Sequence, residues 1–382
     1  MADTAGLPAG LHVLIARNGG LHPPPDILQS WPLPNFKNPD ERGWEAPTVL
    51  IIVMGLTFLI YIARMWARLA LTKNAGLDDI LMSLAMLPVL GLTISVILAI
   101  KVYGFQWHVW DQTNKSQITT REITMAIELN YITSTTLIKV AILVFYHRIT
   151  RTLRNTFVYS VWGMIAFCVV PSIIFAFLII FTCTPVEGFF RLFDISWKLQ
   201  NDLRCQNEAF IIVACAIVGT IQDFFLCLLP IILVWNLNMS TRQKVALCGI
   251  FGVGMITCVC GILRTYYATY VYFYTYDITW HAYHGWIWTA LEADIGVMCA
   301  SAPALKVFFK RYFTSSTMSN GYSSFGTRKT PRPLSQSRGQ ASRYPITTSR
   351  ADHSGVHEPA LFQGIKVSQG LDIHVEETDD II

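Results

Sequence analysis

Glu128, Lys139, Asp223, Arg264, Glu292 and Asp294 all lie inside long apolar runs of this 382-residue sequence. An ionisable side chain near the middle of a hydrocarbon layer costs about 2.5–3.5 kcal/mol on insertion scales, so each needs a partner or a task. Three roles suit such residues: neutralised pairs that fix helix register, a polar site for a small ligand or ion, and a relay that moves protons. Spacing narrows the geometry. Glu128, Thr135, Lys139 and Tyr146 differ by seven or eleven residues. At about 3.6 residues per turn they share one helical face, which must look into a bundle. Depth along the runs sets Lys139 opposite Asp223 and brings Arg264 to the level of Glu128 and Glu292. Asp294 lies about 200° around the helix from Glu292, so the two cannot face one partner.

Other chemistry is thinner. His108 and Asp111 in one loop, and Asp277, His281 and His284 in another, are residue types that ligate metals, but loop histidines more often serve no such purpose. Cys258 and Cys260 read as helix packing. Tyr266, Tyr267, Tyr270, Tyr272, Phe273, Tyr274 and Tyr276 read as an aromatic belt at a membrane interface, with a pocket lined by some of the rings as the alternative. No activated-nucleophile pattern, Gly-rich phosphate loop or HExxH occurs, so the expectation is a non-enzyme without metal or cofactor.

The elements that must position these residues follow from composition. Charged residues make up 14% and hydrophobic residues 53%, and the mean hydropathy is +0.42 even with two polar ends included. An ordinary soluble chain carries about 25% charge. Lipid accepts that much apolar surface and a soluble core cannot hide it. The net charge of +4 mostly reflects an Arg-rich tail and gives no reason to expect nucleic acid. No cleavable signal peptide is visible at the start of the sequence.

Apolar runs long enough to span the hydrocarbon, about 20 residues each, extend from Pro47 to Ala67, Asp79 to Lys101, Ile123 to Tyr146, Thr156 to Phe181, Glu208 to Trp235, Val245 to Tyr270 and Gly285 to Phe309. The expectation is an all-α membrane protein: a seven-helix transmembrane bundle over 46–312, a Pro-rich extended segment over 1–45 and a disordered tail over 313–382. No internal repeat of the kind many transporters carry is apparent.

An odd number of crossings puts the termini on opposite sides. With the N-terminus outside, the inner ends carry Arg64, Arg68, Lys73, Arg148, Arg151, Arg154, Arg242, Lys244, Lys306, Lys310 and Arg311, a slight excess of basic residues over the outer loops and N-terminal segment together. Asn114-Lys115-Ser116 is a glycosylation sequon that has meaning only in a lumenal loop. Cys183 and Cys205 bracket another loop on that side, where a disulfide could form. The second sequon, at Asn238, would be cytosolic and unused.

The residues also suggest a family. Arg64-Met65-Trp66-Ala67-Arg68 followed by Gly76-Leu77-Asp78-Asp79, the loop Tyr103-Gly104-Phe105-Gln106-Trp107-His108-Val109-Trp110-Asp111, and Leu137, Lys139 and Ile142 to Ile149 in the third run resemble the fungal rhodopsin-domain family of receptor-like seven-helix proteins. So do Cys183-Thr184-Pro185 with Cys205, Asp223, Pro230, Gly254, Ile262-Leu263-Arg264, Trp288, Glu292, Gly296 and Pro303. The likeness covers most of residues 45–312. Gln106 stands where a second glycine is usual, and Asp294 where an uncharged polar residue is usual.

The resemblance implies a receptor-like protein, expected in the plasma membrane, that senses a small molecule and signals to a cytosolic partner such as a heterotrimeric G protein. Other relatives are encoded beside secondary-metabolite genes, so a metabolite transporter or exporter is the second reading. A membrane enzyme is the third. No lysine sits midway along the last run, where a retinal Schiff base would be expected, and Lys306 is too near its inner end.

Overall fold

The computed structural model describes residues 23–150, 155–192, 197, 200–235 and 241–318, with backbone alone for 25, 149–150, 155–157, 230–235, 241–251 and 306–318. Arg151, Arg154, Lys198, the Asn238 sequon, the first 22 residues and the tail from 319 onward lie outside the described residues. So do the side chains of Arg242, Lys244, Lys306, Lys310 and Arg311. The chain divides into two units, Met1–Ser323 and Ser324–Ile382, and the second lies wholly outside the described residues.

The first unit is built of helices: α1 (Pro25–Ser30), α2 (Glu45–Trp66, continued by a π turn over Ala67–Leu71), α3 (Leu77–Lys101), α4 (Asn114–Thr150), α5 (Asn155–Ile180), α6 (Glu187–Phe190), α7 (Glu208–Trp235), α8 (Thr241–Phe273) and α9 (Ile278–Met318). Among the described residues, five helical stretches are long and apolar enough to cross a membrane: Glu45–Leu71, Leu77–Lys101, Asn114–Arg148, Val158–Ile180 and Glu208–Leu229. The protein is a multi-pass membrane protein.

Its surface fits that solvent. Only 11% of the most apolar stretch of α5 is buried, and Ile173, Ile174 and Phe177 are more than half exposed. Such a face would drive aggregation in water, whereas lipid tails cover it without cost. The interior side is dense. Val89, Leu92 and Val96 of α3, Ile127 of α4 and Val297 of α9 are fully buried in one continuous core.

Two helices outrun their apolar stretches. α4 begins at Asn114 rather than near Ile123, and α9 at Ile278 rather than near Gly285. A helix is ended by breakers and missing partners, not by the edge of the hydrocarbon. Residues 114–122 contain no glycine or proline, so α4 runs on as a polar wall.

The loop between α5 and α7 is tied by two short strands, β1 (Cys183–Thr184) and β2 (Arg204–Cys205), paired antiparallel with Cys183 opposite Cys205. Those two cysteines form a disulfide.

The N-terminal segment lies across the end of the bundle where α3 ends and α4 and α9 begin. Its described part includes the short helix α1, started by Pro25 at the first helical position. The Asn35 N–H donates to Asp111 (2.8 Å), Arg42 donates to the Trp280 carbonyl (3.1 Å), and Lys101 donates to the Arg42 carbonyl (2.8 Å).

The loop after α3 turns at Gly104, whose φ of +98° only glycine takes without strain. Its N–H donates to the Gln106 side chain (3.0 Å) and its carbonyl accepts from Gln112 (2.7 Å). The glutamine that departs from the family pattern therefore closes the turn itself.

Candidate functional site

Beneath the N-terminal segment the helices enclose a cavity of about 790 Å³, within the range of roughly 300–1,000 Å³ typical of small-molecule sites. α4 contributes Arg121, Glu128 and Tyr131, α8 contributes Arg264, Tyr267 and Tyr272, and α9 contributes Trp286 and Thr289. Leu28, Trp31 and Pro34 form the roof. The tyrosine-rich stretch of α8 divides its rings. Tyr267, Tyr272 and Tyr276 line the cavity, while Tyr266, Tyr270 and Tyr274 stack in a row on the outside.

At one wall Arg121 is held by Glu208 through two bonds of 2.8 and 2.5 Å. Tyr272 donates to the same carboxylate (3.2 Å), and the Arg121 guanidinium lies 3.9 Å over the Phe189 ring. Sequence reasoning missed this pair. Both residues lie at the edges of apolar runs, where a charge draws no notice.

The cavity floor is the first half of an ionic network. Arg264 donates to Glu292 through Nε (2.7 Å) and to the Ala216 carbonyl (3.3 Å), and Tyr131 donates to the other Glu292 oxygen (2.6 Å). Glu128 lines the cavity on the same level with no hydrogen-bond or ion-pair partner among the described residues.

Deeper in the bundle Lys139 lies 3.0 Å from Asp223. It also donates to the Gly219 carbonyl (3.0 Å) and Gln222 (3.3 Å), so all three ammonium protons are engaged. Thr135, Lys139 and Tyr146 are buried and face a second, small cavity of about 40 Å³ that also touches Asp223 and Glu292. It has room for roughly one to three waters. The second oxygen of Asp223 is buried there without a partner among the described residues.

Asp294 stands apart from both networks. It is fully buried on the far side of α9, where the Thr57 hydroxyl of α2 is close by but makes no hydrogen bond of good geometry to either carboxylate oxygen. The Thr57 hydroxyl instead donates to the Val53 carbonyl (2.9 Å).

The opposite end of the bundle carries a third cluster. Arg64, only 2% exposed, reaches Asp78 (3.1 Å) and Asp79 (3.0 Å) and donates to the Ala300 carbonyl of α9. Arg68 and Arg148 close on Asp78 at 3.1 and 3.2 Å, and Arg148 also donates to Asn74. The two aspartates occupy the first turn of α3, where the helix dipole favours negative charge, and Asp79 also accepts the Gly76 N–H (3.1 Å). Of the basic residues that the sequence assigns to inner helix ends, Arg64, Arg68 and Arg148 thus meet with Asp78 and Asp79 in one knot of α2, α3, α4 and α9.

At the cavity end, His108 Nδ1 lies 2.5 Å from Asp277, and its ring is stacked between Trp110 (4.6 Å) and Trp280 (4.0 Å). Asp111 is taken by Asn35. Burial pushes His281 below the ordinary imidazole value, which leaves it neutral at pH 7. Among the described residues no group of three or more His, Cys, Asp or Glu side chains could hold a metal ion. Asn114 is exposed at the first position of α4 on the cavity rim. Cys258 and Cys260 are buried in the packing of α8.

Comparison with known proteins adds a lineage to this geometry. The sequence profile of the fungal rhodopsin domain matches residues 63–311, more than half of the chain. A SAT4 family membrane protein of Emericella nidulans is 28% identical over 180 residues, 46% of this chain and 42% of its own length. Fugralins biosynthesis cluster protein 2 of Gibberella zeae is 24% identical over 236 residues, 60% of this chain and 57% of its own. Receptor GIN3 of Arthrobotrys oligospora is 24% identical over 259 residues, 64% of this chain and 59% of its own. The chain spans about half the length of the first of these curated relatives. No solved structure matches significantly.

Proposed function

The chain belongs to the fungal rhodopsin domain family, and from that premise we propose that it is a non-enzymatic, receptor-like protein of seven crossings that binds a small molecule in the 790 Å³ cavity. On this reading the N-terminal segment and the cavity face outward, and residues 313–382 form a cytosolic tail. Asn114 is glycosylated, and the protein works at the plasma membrane. α8 and α9, of 33 and 41 residues, supply the last two crossings.

The observation that carries the reading is the cavity itself. It is of ligand size, it lies at the end of the bundle opposite the Arg64–Asp78–Asp79–Arg148 knot, and its floor is a polar network shared by four helices. A ligand that contacts the floor alters the balance of Arg264 between Glu128 and Glu292. α9 links that floor to the knot, because it carries both Glu292 and the Ala300 carbonyl that Arg64 grips. A heterotrimeric G protein is the proposed cytosolic partner.

The test is to solubilise the full chain gently and look for a Gα subunit that co-purifies and is released by a non-hydrolysable GTP analogue. Nucleotide-sensitive association supports the receptor reading. Its absence, with the protein monodisperse, favours the alternative of a metabolite exporter. One observation speaks for that alternative: a relative is named for a biosynthesis cluster. Counterflow in proteoliposomes that collapses in Lys139→Ala would carry it.

A further inference from the structure

We infer that the cavity takes a small molecule bearing one protonated amine, with Glu128 as its counter-ion and aromatic rings around it. The inference rests on the cavity being a ligand site and assigns the chemistry of its occupant.

Charge balance carries it. Arg121, Glu128 and Arg264 are the charged side chains on the cavity wall among the described residues. Both arginines are already neutralised, Arg121 by two bonds to Glu208 and Arg264 by Glu292. Glu128 has no bonded partner of its own among the described residues and shares Arg264 only at longer range, and the neighbouring Tyr131 hydroxyl is given to Glu292. One carboxylate is therefore left facing the space.

An anionic ligand would meet Glu128 as a like charge and would have to win an arginine from a bonded carboxylate. A neutral ligand would strip water from Glu128 and return at most a neutral hydrogen bond, leaving the charge unbalanced. An ammonium group completes the set by pairing with Glu128. The rings of Trp31, Trp110, Tyr267, Tyr272, Tyr276 and Trp286 offer faces that attract a cation and area for the apolar remainder of the molecule.

The test uses the full chain in nanodiscs of neutral phosphatidylcholine, so that lipid charge does not concentrate amines. The probes are matched triplets: tryptamine, tryptophol and indole-3-acetate; phenethylamine, phenethyl alcohol and phenylacetate; decylamine, decanol and decanoate. Affinity is read by displacement of an environment-sensitive apolar dye and by thermal shift. In at least one triplet the amine binds about tenfold or more tighter than its alcohol and acid, as one charge-assisted bond predicts. Glu128→Gln erases that preference while the alcohol binds as before, and Glu128→Asp keeps the preference.

Alcohols or acids binding as well as amines in every triplet, or an amine preference that survives Glu128→Gln, overturns the amine assignment and leaves the cavity a ligand site. Failure of every probe to displace the dye removes the ligand-site reading, and this inference with it.

Discussion

Arg264 has two carboxylates near its own depth and bonds only Glu292. The guanidinium and carboxylate are both buried, so each holds the other in a charged state that the surroundings would not tolerate alone. Arg264→Met should therefore cost about 3–5 kcal/mol of stability, as loss of one partner of a buried pair does. Adding Glu292→Met should return much of that loss, because no charge is then stranded. Unfolding in detergent measures both, and a double variant as weak as the single one would refute the pairing argument.

Asp294 makes the opposite case. Its fully buried carboxylate has only the poorly placed Thr57 hydroxyl beside it and no cation close by among the described residues, so Asp294→Asn, which keeps the shape and removes the charge, should raise stability by about 1–3 kcal/mol, seen as a higher melting temperature. A fall would mean that this charge is engaged in something the folded chain needs.

At this scale the sequence reveals depth and conceals direction. Seven- and eleven-residue spacing sets Lys139 inside, and matching depth sets it opposite Asp223, 3.0 Å away in the structure. Depth puts Glu128 and Glu292 equally near Arg264. Helix rotation and tilt decide between them, and no one-dimensional pattern encodes those. The Arg121–Glu208 pair was illegible for another reason, because a charge at the edge of an apolar run looks the same whether it meets water or a partner.

Among elements, the α2–α3 turn and the α5–α7 loop show how short segments hold long helices. A Cβ placed on Gly76 would come within 2.4 Å of the Arg148 guanidinium and 2.5 Å of an Asp78 oxygen. Gly76→Ala should thus loosen the knot by about 1–3 kcal/mol, read as a drop in melting temperature that Gly→Ala at the open position Gly163 does not share. The Cys183–Cys205 crosslink spans 22 positions. Replacing both by serine should cost about 3 kcal/mol in the chain-entropy account, and a variant that melts like the parent would place the loop's order elsewhere.

The apolar runs locate the helices because hydrocarbon demands about 20 apolar residues wherever it is crossed. They could not locate the helix ends. α4 and α9 continue into polar sequence and wall the cavity, and nothing in a hydropathy pattern marks that extension.

For the molecule as a whole, the proposed orientation makes a direct statement about Asn114. A glycosidase should increase the mobility of the protein from its native membrane, and Asn114→Gln should already run at the faster position. Unchanged mobility in both would remove the sequon as support for an outward N-terminus. The Pro-rich composition of the N-terminal segment shows a chain with no core of its own. It does not show that Asn35, Glu41 and Arg42 are fastened to the loops around His108 and to α9, since those bonds depend on a surface that exists only once the bundle has formed.

That fastened roof also bears on time. With Trp31 against Trp110 and Pro34 on the cavity wall, the described part of the segment narrows the way in to Glu128. A ligand wider than that path must wait for the segment to lift. Its capture and its departure are then both slowed, so a brief pulse outside becomes a prolonged occupancy inside. Trp31→Ala should quicken arrival and release together while the dissociation constant changes less than either rate, which turns this covering from a gatekeeper of strength into a setter of memory.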